Sequence, residues 1–297
     1  MAEYPKEPEL PENDGGEETA ALRYDDVMQD GRLRLDAVWR PVGRLIWSRP
    51  EPSRVLAKLG EGVGTVLARA VFEATEVRVP ARAPVRTRAW FRFEHTLGDD
   101  GRVDRIQFNT WIRSTVLGDE SAEPLLARAY GQRVFTRIGA KPGERSVTRL
   151  EGLGTDGVPH HRSEWLPARA LLDVPSGAVL LDPAPRVDPG RVVFGLSHTD
   201  GNQHVNFLAY PRFFEEAALG RFYDLGIGAK IAARHFEIRY RMPSFAGDSL
   251  KIVLQAFRQG ELFGVIGAAM EDDGGPPERP WTEFPPPRAI ARVIFRR

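Results

Sequence analysis

The densest set of side chains able to do chemistry lies between residues 198 and 216: His198, Asp200, Asn202, Gln203, His204 and Asn206, then Tyr210, Glu215 and Glu216. A carboxylate, carboxamides and two imidazoles within nine residues can activate water and hold a developing oxyanion. They do so best at a helix N-terminus, where N–H groups and a partial positive charge face the reacting oxygen. Periodicity places the set between a strand at 191–197 and a helix over about 206–225, with Leu208, Phe213, Phe214, Ala217, Ala218 and Phe222 as its candidate buried positions. The same residue types also serve structure, because Asp and Asn cap helices and form turns, and a His beside a turn is often a hydrogen-bonded surface group. Composition alone leans to that use.

Other candidates carry less. Asp36, at the matching point of the first half, is followed four residues on by Arg40 rather than His, and reads as a strand-end residue. His160 and His161 lie in a Pro-rich stretch with only Asp156 and Glu164 near them. That is not the set of convergent ligands a metal needs, so neither metal nor cofactor is expected. His235 and Glu237 share a strand face as supporting residues or as a packed strand histidine. Glu215 and Glu216 offer a helix carboxylate, with Glu215 expected to pair with Arg212. Zero cysteines exclude a disulfide scaffold, a thiolate metal site and a cysteine nucleophile. The six tryptophans are dispersed rather than set among arginine clusters, so a nucleic-acid stacking platform is not expected. No apolar run approaches the roughly 20 residues of a membrane helix, and the N-terminus is acidic. A cytoplasmic protein without membrane insertion is the expectation.

The elements that must position these groups follow an α+β plan. Residues 1–24 read as a disordered acidic tail: the first 20 hold seven acids against Lys6 alone, with three prolines. Its charge of −6 leaves +6 on the other 277 residues, so the net charge of zero is a cancellation. Residues 25–151 form the first domain. A broken strand at 32–47 precedes a helix of about five turns begun at Ser53, on which Val55, Leu56, Leu59, Val63, Val66, Leu67, Ala70 and Val71 make one apolar stripe. Gly60, Gly62 and Gly64 are spaced wrongly for a nucleotide loop. Alternating strands follow around 85–94, 106–112 and 125–138. Residues 152–189 are a Pro-rich crossover. Residues 190–297 repeat the order of strand, helix and antiparallel strands, the latter at 231–242, 249–258, 261–270 and 288–296.

The string DGNQHVNFLAYPRFFEEA, residues 200–217, resembles the hotdog-fold thioesterases of the 4-hydroxybenzoyl-CoA thioesterase-like group. Its Asp-x-Asn-Gln-His-Val-Asn form is most similar to acyl-ACP thioesterases, double-hotdog chains in which this motif opens the second hotdog. The resemblance implies a tandem hotdog, each half an antiparallel sheet wrapped around one long central helix, and hydrolysis of acyl-CoA or acyl-ACP in lipid metabolism. It places Asp200 as nucleophile or general base and Asn202 and His204 as residues that orient the attacking water. Asn206 and the backbone of 206–208 would polarise the thioester carbonyl, with Tyr210 and Glu216 supporting. The substrate carrier would be CoA or an acyl carrier protein, and a homodimer of double-hotdog chains is compatible with the plan. Two positions depart from the pattern: Phe207 stands for a second Asn, and Tyr240–Ser244 lacks the Glu or Cys that acyl-ACP thioesterases place there. The departures motivate an alternative, a non-hydrolytic acyl-binding or accessory protein. A hotdog dehydratase would need a His and an acid facing each other from separate halves, and the first half has no His at its strand end.

Overall fold

The computed structural model describes residues 4–9, 15–60, 62–117, 123–228 and 231–296. The chain divides into two compact units, Tyr4–Leu166 and Pro167 onward. In the first, β1 (Gly15–Ala21), β2 (Val63–Ala74), β3 (Pro84–Leu97), β4 (Val103–Val116) and β5 (Leu125–Arg137) form an antiparallel sheet. Its order is β1-β3-β4-β5-β2. A short β6 (His161–Arg162) lies parallel to β3 beyond the end of β1.

Alternation along β4 sends Ile106, Phe108 and Ile112 to one face and Gln107, Asn109 and Trp111 to the other. The first face receives a 3₁₀ turn, Leu35–Trp39, and α1 (Val42–Trp47), which is followed by α2 (Pro50–Ala57). Trp47 stacks on Phe108 at 5.1 Å, and Trp39 lies 5.9 Å from Phe72. A Cβ at Gly131 would fall 2.1 Å from the Trp39 ring, so only glycine admits the indole there. The Arg133 guanidinium lies 5.6 and 5.4 Å from the Trp39 and Trp47 rings, and burial draws its pKa down to about 10. On the other face, Asn109 donates to Glu94 (2.7 Å), while Gln132 and Ser163 donate to Gln107 (2.8 Å each). Tyr4 closes part of that face against Val71, Trp111 and Tyr130.

Three expectations for this unit are corrected. The helix expected from Ser53 through Val71 ends at Ala57, and Val63–Ala74 is a strand paired along its length with β5. Gly62 turns the chain at φ +76°, and Val63, Thr65, Val66 and Val71 are β-branched residues that suit a strand. Ala70, Val71 and Phe72 are all fully buried, so the run is apolar on both faces and mimics a helical stripe. Residues 32–47, expected as a strand, instead supply the 3₁₀ turn and α1. The acidic tail is corrected where it is described. Residues 15–21 are β1, and Tyr4 is buried. Arginines neutralise its acids: Arg113 pairs with Glu7 (2.6 Å), Arg86 with Glu17 (3.1 Å) and Arg44 with Glu18 (2.6 Å). Residues 1–3 and 10–14 of that expected tail lie outside the described residues.

In the second unit, β7 (Val179–Leu180), β8 (Arg186–Val187) and β9 (Val192–Val193) are short strands on the outer edge of β11. The sheet runs β10-β13-β12-β11, from β10 (Ala232–Tyr240), β11 (Ser249–Gln259), β12 (Leu262–Met270) and β13 (Ala289–Arg296). One helix, α3 (Ala209–Asp224), packs on its inner face. Phe222 meets Phe295 at 5.2 Å, Phe214 meets Phe236 at 6.1 Å, and Gly267 lets Phe214 approach. Asp182, fully buried, accepts the Ala256 N–H (2.7 Å) and the Arg221 Nε–H (2.9 Å), fastening the 179–187 segment between β11 and α3. The Pro-rich stretch 152–189 is thus not a bare crossover: its first part pairs with β3 and its second with β11. Both units are antiparallel sheets with few helices, and among the described residues only the second has a helix as long as 16 residues.

Candidate active site

The loop between β9 and α3 is built from local hydrogen bonds. After a 3₁₀ turn, Leu196–His198, Thr199 bridges to Val205 and closes a hairpin around Asp200–His204. The Asp200 carbonyl accepts the Gln203 N–H (2.9 Å), and the Asp200 N–H donates to the His204 carbonyl (3.1 Å). Gln203 takes the left-handed backbone (φ +64°) that this three-residue loop requires, a conformation that glycine holds more cheaply. The Asp200 carboxylate is fixed at both oxygens: Oδ1 accepts the Asn202 N–H (2.9 Å) and Oδ2 the Asn206 Nδ2–H (3.4 Å). Asn206 also accepts at Oδ1 from the Leu208 N–H (2.9 Å) and at its carbonyl from the Ala209 N–H (2.9 Å). One residue therefore both orients the carboxylate and turns the chain into α3.

A second layer, absent from the sequence reading, braces the loop from residues 240–248. The Ser244 carbonyl accepts the Val205 N–H (2.7 Å), and the Tyr210 hydroxyl donates to Ser244 Oγ (2.8 Å). The Tyr240 hydroxyl donates to the Phe207 carbonyl (3.0 Å), and its ring meets Tyr210 edge to face at 5.5 Å. Burial raises the pKa of both tyrosines; at Tyr210 the Ser244 bond works against it. The Pro243-Ser244 pair directly after a strand was the available signal. In place of the expected Glu or Cys, this segment supplies a buried serine.

The expected site residues do not all converge. Asp200 and Asn206 meet, whereas among the described residues neither the Asn202 carboxamide nor the His204 imidazole hydrogen-bonds the Asp200 carboxylate. The His204 ring lies against Phe245 at 5.1 Å. His198 Nδ1 accepts the Gly195 N–H (3.0 Å), which puts the hydrogen of the neutral ring on Nε2. The Asn206 and Leu208 N–H groups, expected to face a thioester carbonyl, are engaged by the His198 carbonyl (2.7 Å) and Asn206 Oδ1. Tyr210 is a buried brace. Glu216 is exposed on α3, about seven residues and roughly 10 Å along the axis from Ala209. Asp200 is exposed and makes no ion pair among the described residues, so its charge is held by neutral donors alone. His161 lies in β6, exposed, and no group of three His, Asp or Glu among the described residues is placed to hold a metal.

By sequence, no family model and no curated protein matches the chain. Solved structures do. A structure assigned as an oleoyl thioesterase from Lactobacillus plantarum matches at TM-score 0.61 and 14% identity, covering 95% of this chain and 96% of that one. An acyl-ACP thioesterase from Bacteroides thetaiotaomicron gives 0.58 and 16%, covering 96% and 98%. The 12:0-ACP thioesterase from Umbellularia californica gives 0.56 and 13%, covering 95% and 97%. The likeness in fold to these three thioesterase structures covers nearly the full length of the chain.

Proposed function

We propose that this protein is a tandem hotdog enzyme that hydrolyses an acyl thioester, with Asp200 as its centre. The observation that carries the reading is the Asp200 carboxylate: solvent-reached, paired with no cation among the described residues, and held by an N–H and a carboxamide at the entrance to α3. A carboxylate so held has a fixed direction and stays open to water. As general base it takes a proton from water as the oxygen attacks the thioester carbonyl; the tetrahedral oxyanion collapses, and the thiolate leaves and is protonated. The alternative route, direct attack by Asp200, forms a mixed anhydride that water then cleaves. Asn206 positions the carboxylate, and the exposed Asn202 and His204 side chains are at hand to steer water or donate to the oxyanion. The carrier is CoA or acyl carrier protein.

The test is thiol release from a panel of acyl-CoA and acyl-ACP substrates. Removing a general base costs about 10²–10⁴ in rate. The Asp200→Asn change sets an asparagine directly before Gly201, and an Asn-Gly pair deamidates back to Asp, so Asp200→Ala is assayed beside it. Equal turnover by wild type and both variants removes Asp200 from the chemistry. Tight acyl-thioester binding without turnover by the wild type favours the non-hydrolytic alternative.

A further inference from the structure

The sheet of the second unit has two faces, and the mechanism uses only one. Gly267 faces α3, so by alternation Ala268 and Met270 of β12 point the other way, joined there by Ile290, which pairs with Ala268 across β13. Residues 168–172 and 281–287 cover this outer face incompletely and leave a cleft of about 500 Å³. That volume is within the usual range for small-molecule sites. None of residues 194–216 lines it.

Its walls are apolar, from Leu172, Met270, Phe284 and Ile290. Charged groups break that surface. Arg169 and Arg241 line the same cleft, exposed, and make no ion pair or side-chain hydrogen bond among the described residues. Asp173 opposes them with one negative charge, leaving the rim positive by one. The covering segment is fixed rather than loose, because Arg292 donates to the carbonyls of Ala170, Leu171 and Asp173 (3.2, 3.2 and 2.7 Å).

An apolar slot with two uncommitted guanidinium groups at its rim matches one ligand chemistry: an alkyl chain ending in a monoanionic acceptor. A bare phosphate would leave the walls unused, and a neutral alkyl chain would leave the arginines unused. We propose that this cleft is a second site, separate from the Asp200 loop, that binds a straight-chain carboxylate. The binding does not depend on Asp200 doing chemistry.

Calorimetric titration of the full chain with decanoate below its micellar range, beside 1-decanol and CoA as neutral and phosphate probes, tests this. One decanoate per chain is expected, with a shift in tryptophan emission. The exposed pair changed together, Arg169→Gln with Arg241→Gln, should weaken decanoate at least tenfold and leave 1-decanol unchanged. Trp281→Phe keeps an aromatic wall and should abolish the emission shift. Asp200→Ala should bind as the wild type does. No binding by the wild type overturns the proposal, as does unchanged binding by the double arginine variant, an emission shift that persists in Trp281→Phe, loss confined to Asp200→Ala, or CoA that competes at equal affinity.

Discussion

Each unit carries an aspartate just ahead of the helical segment that packs on its sheet, and the two live in opposite surroundings. Asp36, in the 3₁₀ turn before α1, is 5% exposed and contacts Arg34 (3.2 Å) and Arg40 (3.3 Å); Arg40 also pairs with Asp26. Asp200, in the loop before α3, faces solvent and meets only neutral donors. Guanidinium groups neutralise the first and make it a fastener of the chain segment 26–40. Neutral donors orient the second and leave its charge open to solvent. Similar antiparallel scaffolds thus give one carboxylate to stability and leave the other uncompensated at the surface, and the partners rather than the residue type decide which.

Exchanging the roles is the severest way to break that contrast. Asp200→Ala should lower turnover by about 10²–10⁴ with little change in melting temperature. Asp36→Asn should leave turnover per folded molecule near wild type but cost about 1–2 kcal/mol of stability, because the half-buried Arg34 and Arg40 lose a charged partner. Paired activity and thermal-melting measurements on both variants read the contrast directly. Turnover abolished by the Asp36 change and spared by the Asp200 change would invert it.

The next largest effect concerns how each sheet seats its helix. At Gly131 an added Cβ meets a tryptophan ring at 2.1, 2.8 and 3.2 Å, whereas at Gly267 the nearest atom, at 2.6 Å, is the tip of the Leu254 side chain. A buried indole yields less than a leucine methyl. Gly131→Ala should therefore cost about 2–3 kcal/mol and Gly267→Ala about 1–2 kcal/mol by denaturant unfolding. Equal losses would show that the two interfaces are packed alike.

The second unit was the more legible of the two, for physical reasons. Its helix buries Tyr210, Phe214, Ala217, Ala218 and Phe222 at spacings of three and four, and its strands are four long unbroken segments, so periodicity located α3 and β10 to β13 closely. In the first unit, Pro41, Pro50 and Pro52 break the helical stretch into pieces too short to show a period, and β2 is buried on both faces around Val71, so the wrong period was read there. The N-terminal acids looked like a solvated tail because most of their arginine partners come from β3 and β4, some 70 to 106 residues away. Within the site, Asp200 and Asn206 were legible since their contacts are local. The brace at Ser244 lies 34 residues beyond Tyr210, so the Pro243-Ser244 pair marks a turn without showing what it contacts.

Alkaline pH sharpens the comparison further. Burial raises Tyr4 in the first unit and both Tyr210 and Tyr240 in the second above the ordinary tyrosine value near 10. A raised pKa means the folded state holds its proton more tightly than the unfolded one. The associated stability is complete below about pH 10 and is lost as pH climbs through the folded-state values. Each such tyrosine contributes at most about 1.4 kcal/mol per pH unit in that window. With two tyrosines against one, the second unit should soften first in melts taken between pH 8 and 11.5. Tyr240→Phe should flatten the slope while costing about 1 kcal/mol at neutral pH for the lost bond to the Phe207 carbonyl. An unchanged slope would clear Tyr240 of the effect.

The smallest expected change tests whether the reactive surface of the second unit extends down its helix. Glu216 is exposed on α3 and makes no ion pair or side-chain hydrogen bond among the described residues. Nothing beside it would desolvate or direct a carboxylate, and the hydrogen bonds that hold Asp200 come from its own loop. Glu216→Gln should therefore shift stability by less than about 0.5 kcal/mol and turnover by less than about twofold. A tenfold fall in kcat at unchanged KM would instead place a helix carboxylate in the chemistry. The contrast between the units would then rest on two acids rather than one, and Asp200→Ala combined with Glu216→Gln would show whether they act together, through losses that fail to add.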